Sequence, residues 1–68
     1  MEKSFSSTMP IADESDVSEA QRWIYGAVHQ MANDRGISIS PEQVVRQTTF
    51  GVVHDGSIKK LQGVLTID

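Results

Sequence analysis

A helix stop followed almost at once by a helix start is the feature that most constrains how this chain folds. Gly36 ends an amphipathic stretch and suits the left-handed position just beyond a helix C-terminus, where a side chain would be strained. Ser40–Gln43 then reads Ser-Pro-Glu-Gln, in which serine and glutamine form a capping box and proline fits the first helical turn. Only Ile37–Ile39 lies between the two signals. The sequence therefore predicts two helices joined by a short, stiff connector.

The first helix is predicted to begin at Asp16, which can cap it together with Glu19 at the third helical position. Apolar side chains then recur at three- to four-residue spacing and face one direction. They are Val17, Ala20, Ile24, Ala27, Val28 and Met31. Trp23 and Tyr25 flank this stripe and widen the apolar arc to roughly 200°, against the usual stripe of about 100°. Such a helix needs two neighbours: either other parts of the chain cover both flanks, or one flank meets another subunit.

The segment after Thr48 fits two structures. Thr49–Val53 is rich in strand-forming residues, and Asp55-Gly56 is a common hairpin turn. Beyond the turn, apolar residues of Ile58–Leu65 recur at helical spacing and also at strand spacing. We predict a third short helix that begins at Ser57, with a β-hairpin as the alternative.

The N-terminal region is predicted to be unstructured. Residues 1–15 are acidic and rich in serine, and their few apolar residues show no periodicity, which is typical of a flexible tail. Residues 16–68 are then a single small domain. The expected fold class is mainly α, a small domain of two to three helices behind the flexible N-terminal tail. The alternative is α+β, with two helices followed by a C-terminal β-hairpin.

Size and composition point to association with a partner. The chain has 68 residues, no cysteine and two histidines, so a disulfide is excluded and a structural zinc site is disfavoured. A core this small is marginal by itself, and a second subunit is the remaining common way to stabilise it. We expect a homodimer or a complex with another protein. The lack of cysteine, of a secretory signal and of a long apolar run favours a cytoplasmic protein with no membrane contact.

The predicted function is that of a small, non-enzymatic accessory or regulatory protein acting by protein–protein binding. Its interface is expected on the first helix, because aromatic residues there would dominate the binding energy. The residues predicted for it are Trp23, Ile24, Tyr25, Val28 and Met31. Gly26 lies in the same helix and costs about 1 kcal/mol relative to alanine. Either a partner's backbone passes close to it, or the helix simply tolerates that cost.

The alternative function is DNA binding by a helix-turn-helix or winged-helix regulator. Arg46, Lys59 and Lys60 would contact the nucleic acid, with the two lysines on the predicted third helix. Three properties of the sequence argue against this function. The net charge is −3, the connection Thr49–Gly56 between the second helix and the predicted third helix is longer than the usual turn, and the predicted recognition helix has few side chains that recognise bases.

Catalysis has little support in the sequence. His54, Asp55 and Ser57 are the residue types of a nucleophilic triad, but they lie too close together on one turn to form such a chain of contacts. The glycines do not have the spacing of a phosphate-binding loop. The sequence therefore predicts no enzyme, no cofactor, no metal and no small-molecule substrate.

Overall fold

The computed structural model describes residues 3–67 and is α+β, so the predicted mainly α fold is wrong. Two helices and three strands follow one another, with a single 3-10 turn before the first helix. In chain order they are β1 (Lys3–Pro10), the turn (Glu14–Asp16), α1 (Val17–Asp34), α2 (Pro41–Gln47), β2 (Thr48–Asp55) and β3 (Ile58–Ile67).

Within the predicted flexible tail of residues 1–15, Lys3–Pro10 is instead a strand, and residues 1–2 lie outside the described part of the chain. β1 pairs antiparallel with β3, with Phe5 opposite Leu65 and Met9 opposite Leu61. Phe5 and Met9 are partly buried against the core, while the residues that alternate with them are exposed. Two apolar residues four apart are too few to show a period of two, so the sequence does not indicate this strand without the partner strand that pairs with it.

The predicted third helix is wrong as well, because Ile58–Ile67 is the central strand of the sheet. Leu61, Gly63 and Leu65 all lie on the buried face towards α1, which is strand spacing, whereas Ile58, which would share the apolar face of a helix, is exposed. The hairpin that was the alternative is present, and Gly56 at its turn has a φ of 64°. That alternative still lacked β1, and therefore one edge of the sheet.

The strand order is β1-β3-β2, with β3 antiparallel to both neighbours. The strands β1 and β2 are consequently parallel to each other, and α1 and α2 connect them, which is a split β-α-β arrangement. α1 packs on one face of the sheet, over β1 and β3. The opposite face carries mainly serine, threonine and other polar residues, as is common for an antiparallel sheet with one face in water.

The core lies between α1 and the sheet, and α2 closes one end of it. α1 contributes four buried residues at a spacing of four, the predicted stripe in a narrower form. The buried apolar residues of the described chain are Ile11, Ala20, Ile24, Val28, Ala32, Val44, Leu61 and Leu65.

Both signals that delimit the connector are confirmed. Gly36 has a φ of 79°, and the N–H of Ile37 donates to the carbonyl of Ala32 over 3.0 Å, as in a Schellman motif. Ser40 and Gln43 form the predicted capping box at the start of α2. The capping box at the start of α1 was misplaced, since Asp13 and Asp16 form one around the preceding turn and Asp16 does not cap α1.

Gly63 allows the close approach of α1 to the sheet. It lies on the α1 face of β3, between Leu61 and Leu65. A Cβ at this position would overlap Ile24 Cγ2 and would lie 2.9 Å from Phe50 Cε1. Any side chain here would push the helix away from the sheet.

We predict that Gly63→Ala lowers the free energy of unfolding by about 1–3 kcal/mol, because the added methyl overpacks the core. Chemical denaturation followed by circular dichroism measures this change. Gly51→Ala is the matched control, since Gly51 lies in a neighbouring strand with open space around its Cβ. Equal losses for the two variants would contradict the packing argument.

Candidate interaction surface

Two flanks of α1 have different surroundings. On one flank, Tyr25 packs edge to face on Phe50 of β2, with ring centroids 5.2 Å apart and an interplanar angle of 81°. Trp23 lies two residues earlier, which is about 200° around the helix. Since α1 rests over β1 and β3, the flank with Trp23 points away from β2 and towards the free edge of β1.

The flank that carries Trp23, Gly26, Ala27 and Met31 is called the outer flank here. Trp23 is 64% exposed, the largest value among the exposed large apolar residues of the described chain, and Met31 is also exposed. Trp23, Gly26 and Ala27 line a shallow hollow together with Arg22. Nothing lies within 4 Å of the position that a Cβ of Gly26 would occupy. The outer flank is thus an apolar ridge beside a notch.

The five residues predicted for an interface differ in how far they are buried in the chain's own core. Ile24 and Val28 are fully buried in the chain's own core, and Tyr25 is partly buried against Phe50. Trp23 and Met31 are the two that a partner can reach. The broad apolar arc of α1 therefore has two parts. The sheet covers most of it, and the outer flank remains uncovered.

A second feature of the same side, the edge of β1, was not predicted from the sequence. The N–H of Ile11 donates to the carbonyl of Lys59 over 2.9 Å, which places this pair at a hydrogen-bonded position of the antiparallel ladder. Because such positions alternate, the N–H and C=O groups of Ser4, Ser6 and Thr8 point away from β3. Ser4–Pro10 also contains no charged residue, although charges commonly block exposed edges.

The residues of the DNA-binding alternative do not form one basic surface. Lys59 and Lys60 are neighbours on β3, so their side chains lie on opposite faces of the sheet. Lys60 makes a 3.4 Å ion pair with Asp55, and Arg46 is on α2. The segment predicted as the recognition helix of this alternative is strand β3, so the predicted helix-turn-helix does not form.

The polar residues considered for catalysis serve the local structure or face solvent. His54 and Asp55 are exposed at the end of β2, and His29 Nε2 lies 2.9 Å from the carbonyl oxygen of Ile39. Hydrogen bonds from Ser15 hold the pKa of Asp13 below its ordinary value. Within residues 3–67, no group of three or more acidic, histidine or cysteine side chains is placed to hold a metal ion.

Comparison of the chain with protein-family models, with curated proteins and with solved structures gave no match. Neither helix in the described part of the chain combines the length and the apolar character that crossing a membrane requires.

We predict a large loss of stability for one of two adjacent residues of α1 and almost none for the other. Ile24→Ala should cost about 2–5 kcal/mol of unfolding free energy because it opens a cavity in the core. Trp23→Ala should change it by less than about 0.5 kcal/mol in dilute, monomeric protein. Urea denaturation at low protein concentration measures both values, and a large loss for Trp23→Ala would show that Trp23 belongs to the core.

Proposed function

We propose that this chain is a non-enzymatic accessory or regulatory protein that acts by protein–protein binding, and that it does so as a homodimer through the outer flank of α1. The exposure of Trp23 on an ordered helix, beside the notch at Gly26, is the observation that carries this proposal. Tryptophan is enriched among the residues that dominate binding energy at interfaces.

Burying the exposed part of Trp23 would contribute a large free energy of association for so small a protein. An aromatic side chain buries about 150–250 Å² on full burial, so covering the exposed part of Trp23 removes about 100–160 Å² from water. At about 25 cal/mol per Å², this is on the order of 3 kcal/mol. Few other contacts on this surface could contribute as much.

The small core gives a second reason for association. Eight apolar residues are buried among those described, and two of them, Ala20 and Ala32, are alanines. Domains of this size without disulfides or metals commonly gain stability from another subunit. The other exposed apolar side chains, Val45, Val52 and Ile58, lie on three different elements and form no comparable ridge.

Trp23 also provides the test, because it is the single tryptophan of the chain. We predict that sedimentation equilibrium shows a reversible dimer and that tryptophan emission shifts to shorter wavelength as protein concentration rises. Trp23→Ala should abolish the dimer, since it removes the main apolar contact. Val45→Ala, which shortens an exposed apolar side chain on α2, is the control that leaves the dimer intact.

A monomeric mass at every concentration, together with an unchanged emission spectrum, would contradict the homodimer. A dimer that survives Trp23→Ala would place the interface elsewhere on the molecule.

A further inference from the structure

We propose that two copies of this chain join edge to edge through β1, in antiparallel register centred on Ser7, so that the two sheets form one six-stranded sheet and the two α1 helices pack side by side. This inference rests on the proposed function and specifies how the homodimer is built. It assigns the second copy to both the outer flank and the β1 edge.

The backbone of β1 is ready for such pairing. Its outward N–H and C=O groups belong to Ser4, Ser6 and Thr8, and Pro10, which has no N–H, occupies the next outward position. The side chains of these four residues lie on the open face of the sheet, so they do not obstruct the edge. A second β1 can therefore approach to strand-pairing distance.

Side-chain chemistry selects the register. A two-fold axis perpendicular to the sheet, passing midway between the two Ser7 residues, places Ser6 opposite Thr8 of the second copy, and both residues have outward backbone groups. Phe5 then lies opposite Met9 of the second copy, on the α1 face, where both side chains are only partly buried. Shifting the centre to Ser6 would instead place Lys3 opposite Met9 and lose this apolar pair.

The same axis places the two helices in contact. Ser7 pairs with Gly63, and Ile24 packs directly over Gly63, so the axis lies level with the middle of α1. A helix above the midpoint of β1 and β3 lies about one strand spacing, ~4.8 Å, from that axis. The two helix axes would then be about 10 Å apart, which is the ordinary distance for packed helices.

At that distance the outer flank is complementary to itself. In an antiparallel helix pair centred between Ile24 and Tyr25, Trp23 of each copy lies opposite Gly26 of the other. The ridge of one copy thus fills the notch of the second copy. This fit accounts for a glycine at position 26 of the helix. Glu19 falls opposite Gln30 of the second copy, so Glu19 faces no like charge at that position.

The combined surface is large enough for a specific dimer. β1 has 8 residues and α1 has 18, so each is about 27 Å long. Strand and helix layers together make this side roughly 20 Å deep, about 540 Å² in projection. The relief of the side chains makes the buried area larger than this flat projection. The smallest specific interfaces bury about 600 Å² per partner.

Single cysteines test the register, because the chain has no cysteine of its own. Ser7→Cys would bring its two copies to about 4.5 Å between Cα atoms, within the range for a disulfide. In the same register, the Cα atoms of Ser6→Cys would be about 8 Å apart and those of Ser4→Cys about 20 Å apart. On mild oxidation we expect Ser7→Cys to form disulfide-linked dimers at least tenfold faster than either control.

The other possible outcomes test the register, the pairing through β1 and the homodimer separately. Fastest cross-linking of Ser6→Cys would overturn the Ser7 register. Equal, slow cross-linking of all three variants, in a protein that sedimentation and Trp23→Ala show to be a dimer, would overturn pairing through β1 while leaving the proposed function intact. A protein that is monomeric throughout would overturn both.

Gly26→Ala supplies a second test that does not depend on oxidation. Alanine is the better helix former and has open space at this position, so the variant monomer should melt at a higher temperature. The same methyl would meet Trp23 of the second copy, so the dimer Kd should rise about tenfold. A higher melting temperature with an unchanged Kd would overturn the proposed fit of ridge and notch.

Discussion

The contact of Ile24 with Gly63 determines how the rest of the molecule is arranged. It brings α1 close to the middle strand and leaves no room for a side chain on β3 at that point. With the helix held over β1 and β3, Tyr25 reaches Phe50 on β2 and Trp23 is left on the opposite side. One close contact between helix and sheet therefore buries most of a broad apolar arc and leaves Trp23 and Met31 exposed.

The predicted features that were confirmed depend on near neighbours in the chain. Gly36 needs only its own backbone freedom to end a helix, and Ser40 needs only the N–H three residues ahead. The apolar period of α1 is local as well. Trp23 and Met31 could be named as interface candidates for this reason, whereas telling them from Ile24 and Val28 required knowledge of where the sheet lies.

The features that were missed depend on partners distant in sequence. β1 is a strand because β3 pairs with it more than fifty residues later, and nothing in Ser4–Thr8 alone indicates that pairing. The apolar residues of Ile58–Leu65 fit both periods, and the sheet decides between them through β1 and β2 on either side. The outward backbone groups of β1 could not be predicted for the same reason. They can be identified only when the strand order, with β1 at the edge, is known.

The proposed dimer requires a second β1 to cover the β1 edge. The most direct measurement is amide hydrogen exchange at Ser6 and Thr8, read by NMR across a range of protein concentrations. Their outward N–H groups should exchange freely in the dilute monomer and become protected as the dimer forms, while the inward N–H of Ser7 is protected throughout. Free exchange at Ser6 and Thr8 in a protein that sediments as a dimer would contradict the claim.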